Sequence, residues 1–145
     1  MAVERTANAH WEGSLATGTG TVSTGSGVLK DATVKWSSRA EQADDNTSPE
    51  ELIAAAHATC VSMALSAGLA KAGSPPQQLD TEATATFEQV GDAFRMTTMQ
   101  IAIRGQVDGL DEDGFREAAQ AAIENCPVSQ ALKGNVDVSV DASLA

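Results

Sequence analysis

Basic residues are scarce: nine Lys and Arg stand against twenty Asp and Glu in 145 residues, a formal net charge of −11. Such a field repels a phosphate backbone unless a basic patch is concentrated locally. Every Lys and Arg here is isolated in sequence, so no nucleic-acid partner is expected. Aromatics are also few, at 3% with no Tyr, although 42% hydrophobic and 20% charged residues make a globular composition. Twelve glycines among many alanines and threonines favour close backbone packing. No internal repeat or linker divides the chain, and its length fits one domain spanning residues 1–145.

The N-terminal "MAVERTANAHWEG" lacks a charged segment followed by an apolar core, so no secretory signal is read and a cytoplasmic location is expected. Only two cysteines are present, Cys60 and Cys126. In a reducing compartment a disulfide between them is more often catalytic or transient than structural. Zinc fits poorly: 65 residues lie between the cysteines, and His10 and His57 follow no ligand spacing. The glycines at 18, 20, 25 and 27 form no phosphate loop, having neither GxGxxG spacing nor a following helix, and are read as hairpin turns.

Charge is missing altogether between Glu51 and Lys71. The 19 residues Leu52 to Ala70 approach membrane-spanning length. They nevertheless hold His57, Thr59, Ser62, Ser66 and many alanines, which fits a buried helix of a soluble protein and no membrane partner. Ser48 is a suitable N-cap, Pro49 suits the first helical position, and Glu51 completes a Ser-x-x-Glu capping box. The helix is predicted to run to Gly73, before Ser74-Pro75-Pro76. Apolar nearly all round, it needs cover on several sides.

The first 39 residues read as strands, with Val34-Lys35-Trp36 alternating and Arg39 closing the third, before a polar loop over 40–47. After the long helix, "LDTEATATFEQV" and "AFRMTTMQIAIRGQV" flank a Gly91-Asp92 hairpin turn. "DEDGFREAAQAAIEN" places Phe115, Ala118, Ala119, Ala122 and Ile123 at helical spacing, Pro127 restarts a short helix over 127–133, and "NVDVSVDAS" is a final strand. The order β3-α-β2-α-β is an α+β arrangement with mainly antiparallel pairing.

Two thiols offer themselves for chemistry. Cys60 lies mid-helix, where burial disfavours a thiolate; it reads as a small core residue unless a cation comes from elsewhere. Cys126 directly precedes Pro127 and so caps the short helix, whose positive end favours a thiolate. On local physics Cys126 is the better nucleophile, with a plain core role equally open. His57, three residues before Cys60, reads either as a thiol-polarising group or as a hydrogen-bonded interior histidine. Glu50 lies about 80° from Cys60 around the helix and Glu51 about 180° away, so Glu50 is the acid free to face a site. Ten residues of rise set Glu50 and Cys60 roughly 15 Å apart along the axis. If both serve one site, Glu50 must reach Cys60 of another chain.

Four segments, "AHWEG", "GTGTVSTGSGVL", "PEELIAAAHATCVSMALS" and "CPVSQALK", stand in this order across nearly the whole chain. In register they resemble the OsmC/Ohr family of thiol peroxidases, and the OsmC branch in particular. The resemblance implies an intertwined homodimer with two long central helices wrapped by sheets. It implies reduction of organic hydroperoxides, and less efficiently hydrogen peroxide, without metal, haem or flavin. By position, Cys60 becomes the peroxidatic thiolate, Cys126 the resolving thiol that forms a disulfide with it, Arg39 the cation that stabilises the thiolate, and Glu50 the acid that holds Arg39. This reverses the local ranking of the thiols. A dithiol reductant is required, and the resemblance implies a lipoylated carrier protein. Ala40-Glu41 departs from the branch, which often has an aromatic before the acid, so substrate preference is the loosest part of the transfer. A thiol–disulfide sensor of the same fold and a non-catalytic dimeric binding module are the alternatives.

Overall fold

The computed structural model describes all 145 residues, Met1–Ala145. They fall into two compact units, Met1–Leu52 and Ile53–Ala145.

In the first unit β1 (Ala7–Glu12), β2 (Thr19–Thr24) and β3 (Ala32–Val34) form an antiparallel sheet in sequence order. Gly25 and Gly27 occupy the β2–β3 turn, Gly27 at φ 75°. Gly20, also expected in a turn, instead lies inside β2. A Cβ there would sit 2.4 Å from the His10 carbonyl oxygen and 2.8 Å from Trp11 Cε3, so the bare backbone makes room for the indole.

The third strand is shorter than its sequence predicts. Alternation ends at Lys35, still extended at φ −141°, and Trp36–Ala40 then coil into helix α1. Arg39 therefore stands on a helix rather than at a strand end. The cause lies downstream. Ser38 Oγ donates to Asp44 at 2.9 Å, and Asn46 donates both its backbone N–H and its side-chain amide to the same carboxylate. These bonds, led by the Asn46 N–H, hold the Asp44 carboxyl below its ordinary pKa. They tie the polar loop back onto the two serines.

Helix α2 covers Pro49–Lys71, and the division between the units falls within it. Its start forms half of the predicted capping box: the Glu51 N–H donates to Ser48 Oγ at 3.1 Å, but the Glu51 carboxylate accepts from Thr47 Oγ1. Its end is marked by Gly73 at φ 90° and by Ser74 N–H donating to the Leu69 carbonyl, a left-handed stop for which glycine is suited. Ala54, His57, Val61, Leu65 and Leu69 form a buried stripe at helical spacing. Ala56, Thr59, Met63, Ala67 and Ala70 form an exposed one, with Met63 69% exposed.

The second unit holds β4 (Gln78–Val90), β5 (Ala93–Gln106) and β6 (Asp137–Leu144) in one sheet, β5 central. β4 pairs antiparallel through the Gly91-Asp92 turn, and β6 pairs parallel. Helix α3 (Glu112–Asn125), capped by Asp111 accepting from the Gly114 N–H, presents buried Phe115, Ala119, Ala122 and Ile123. Met99, Ile101 and Ile103 alternate inward along β5 and join them in one core, where each large side chain contributes about 1.5–3 kcal/mol. At the end of this row is Gly105, where a Cβ would lie 2.5 Å from Phe115 Cζ; the ring seats on bare backbone. Helix α4 (Pro127–Leu132) follows α3 after a single residue, Cys126.

Candidate active site

In the first unit, α1 and the start of α2 bring Arg39 and Glu50 into a forked ion pair. Arg39 Nε lies 3.2 and 3.1 Å from the two Glu50 carboxylate oxygens, and Nη2 lies 2.8 Å from Oε1. The Glu50 side chain is 9% exposed and that of Arg39 34%, so the acid is the fixed partner and the guanidinium the presented one. A forked, charge-assisted pair of this kind restricts the guanidinium in orientation as well as position. Its carbon also lies 6.0 Å from the Trp36 ring centroid. Beside this pair is a cavity of about 440 Å³ whose walls include Trp11, Val22, Val34, Trp36 and Leu52, with Arg39 among them. An apolar volume with one cation suits a small molecule with an organic body and a polar end.

In the second unit the two thiols meet. Both are reduced; Cys60 is partly exposed and Cys126 wholly buried. The Cys60 S–H donates to Cys126, while the Val128 N–H is directed at both sulfurs. Burial, and then this donation, raise the Cys60 pKa above that of an ordinary thiol. Burial also works against a Cys126 thiolate. It is outweighed by the Cys60 S–H, the Ser129 N–H and hydroxyl and the Val128 N–H, and the net shift is downward. Cys126 closes no conventional cap hydrogen bond, so the effect comes from several weak donors rather than one strong cap. Taken by itself, this unit makes Cys126 the more acidic thiol, as local physics anticipates.

His57 is fully buried, and its Nε2 lies 2.7 Å from Ser129 Oγ. Burial lowers its pKa, so the ring is neutral near pH 7. Its Nδ1 has no hydrogen-bond partner. Ser129 escapes sequence reasoning, although "CPVS" places it three residues after Cys126, on the same side of the helix start.

A family model described as OsmC-like protein matches residues 42–141. The chain belongs to the OsmC family. Peroxiredoxin OsmC of Escherichia coli K12 is 42% identical over 136 residues, covering 94% of each chain. An organic hydroperoxide resistance protein of Xanthomonas axonopodis pv. citri is 29% identical over 97 residues, 66% of each. Among solved structures, the organic hydroperoxide resistance protein OhrB of Bacillus subtilis superposes with a TM-score of 0.74 at 25% identity, covering 95% of this chain and 98% of that one. The α+β fold with a long helix and mainly antiparallel sheets is thus that of OsmC and Ohr proteins, and the higher identity lies on the OsmC side, as the four sequence segments anticipate.

Proposed function

We propose that this OsmC-family protein is a cysteine-based peroxidase that reduces organic hydroperoxides, and hydrogen peroxide less efficiently. The observation that carries the roles is the unequal exposure of two thiols in contact. A peroxide can reach Cys60, whereas Cys126 has no exposed surface and must react second. The Cys60 thiolate attacks the distal peroxide oxygen, the O–O bond breaks, and the departing alkoxide takes a proton to become the alcohol. This leaves Cys60 as a sulfenic acid. The Cys126 thiolate then attacks that sulfur, hydroxide leaves and is protonated to water, and a Cys60–Cys126 disulfide forms. A dithiol reductant, for which a lipoylated carrier protein is our choice, supplies two electrons and two protons to restore both thiols.

Since its own unit raises the Cys60 pKa, the attacking thiolate needs an outside cation. We assign that role to Arg39, held by Glu50, from the family resemblance together with the forked ion pair. The proton of an S–H···S⁻ pair is shared, so a cation near Cys60 moves the negative charge from Cys126 onto it. The apolar cavity that Arg39 helps to line supports an organic peroxide tail. Arg39→Ala should shift the pH–rate profile of peroxide reduction about one to two units toward alkali, because only the thiolate attacks and its pKa rises. The rate near pH 7 then falls about 10- to 100-fold while the alkaline plateau is retained. An unmoved profile removes Arg39 from the role.

The exposed stripe of α2 supports the homodimer. This 23-residue helix has a mean hydropathy of 1.6 in its most apolar window, only 28% of which is buried. A second copy of the helix is the cover we assign. Residues 1–145 then act as one OsmC-like domain per subunit, in the cytoplasm.

The decisive experiment is steady-state turnover with an alkyl hydroperoxide against hydrogen peroxide, with dihydrolipoamide or thioredoxin as reductant, alongside thiol titration. One equivalent of peroxide should take two thiols to none, and the alkyl substrate should turn over faster. Stoichiometric disulfide without turnover on any dithiol establishes the sensor instead, and two unchanged thiols a binding module.

A further inference from the structure

We propose that His57 and Ser129 form a positioning relay for the resolving thiol: His57 Nε2–H donates to Ser129 Oγ, and the Ser129 hydroxyl donates to Cys126 Sγ. The inference deepens the peroxidase reading and rests on it. The proton count leaves one arrangement. Ser129 has a single hydroxyl proton, and that proton is directed at the Cys126 sulfur. The 2.7 Å contact to His57 must therefore be donated by the ring. A neutral imidazole with its proton on Nε2 leaves Nδ1 a bare acceptor, and Nδ1 is the buried atom without a partner. Moving the proton to Nδ1 would strand a donor in the core and take the hydroxyl proton away from Cys126. Burial keeps the ring neutral and so preserves this arrangement.

The consequence falls on the second chemical step alone. A thiolate sulfur has several lone pairs, and only one lies on the line of attack at the Cys60 sulfenic sulfur. Donors from Ser129 occupy the others, leaving the sulfur ionised and aimed. The titratable groups that reach Cys126 are Cys60 and, through Ser129, His57, both from α2. Glu124 on α3 and Lys133 after α4 are exposed, and the core cluster around the sulfur is apolar.

The test is a single-turnover experiment that resolves sulfenic-acid formation, read with a sulfenic trap, from disulfide formation, read by thiol loss without reductant. In Ser129→Ala the first phase should stay within about twofold. The second should slow about 10- to 100-fold, as for loss of one charge-assisted hydrogen bond, with its pH profile displaced toward alkali. Ser129→Thr should restore both rate and profile. His57→Phe should slow the second phase, His57→Gln should retain most of it, and the Ser129→Ala/His57→Phe pair should be no slower than the slower single variant. Equal slowing of both phases, or an unmoved second phase in folded Ser129→Ala, overturns the relay. No sulfenic phase in the wild-type protein overturns the peroxidase reading instead.

Discussion

Cys60→Ser is expected to abolish consumption of an organic hydroperoxide supplied with a dithiol, lowering turnover by at least about a thousandfold. A serine hydroxyl is not ionised at neutral pH, and no general base near position 60 replaces a thiolate's nucleophilicity; His57, the nearest imidazole, is committed to Ser129. The buried Cys126 cannot substitute, because a peroxide has no surface of it to approach. The fold should survive, since sulfur and oxygen differ little in size and the site is only partly buried. Turnover retained in this variant would reverse the assignment and make Cys126, the more acidic thiol of its unit, the attacker.

Cys126→Ser separates the two steps. The first equivalent of peroxide should react at the wild-type rate, because Cys60 and the Arg39–Glu50 pair are untouched. Steady-state turnover should then fall about 100-fold or more, since the sulfenic acid has lost its internal partner and waits on a bulky external thiol. Excess peroxide carries the stranded sulfenic acid on to sulfinic acid, which a dithiol does not reverse. Intact-mass measurement should find two added oxygens on Cys60 in the variant and a disulfide, with no added oxygen, in the wild-type protein. A variant that turns over normally would show that the Cys60–Cys126 contact is not part of the cycle.

The helices were legible in the sequence wherever periodicity and caps agreed. Ser48-Pro49 and Gly73 bound α2 within two residues of its observed ends, and the Phe115 to Ile123 spacing describes the buried face of α3. The short helix α1 was not legible. Five residues carry too little periodicity to distinguish a helical turn from the alternation of Val34-Lys35-Trp36, and the bonds that hold it come from Asp44 and Asn46. Parallel pairing of β6 with β5 was equally hidden, because side-chain alternation does not encode strand direction. At the site, helix angles singled out Glu50, and its forked contact with Arg39 shows that acid turned toward a cation. The meeting of Cys60 with Cys126 came from the family resemblance alone. The His57–Ser129 bond joins residues 72 apart through a serine with no local peculiarity, so only the fold reveals it.

The indole packed over Gly20 has a practical corollary. The chain has no Tyr, and both of its tryptophans, Trp11 and Trp36, belong to the Met1–Leu52 unit, whereas both sulfurs belong to the other. Intrinsic emission is therefore a native probe of one unit alone, with Trp36 close to the Arg39 guanidinium. Any change in that emission when the thiols are oxidised is a signal transmitted from a unit that contains no fluorophore of its own beyond phenylalanine.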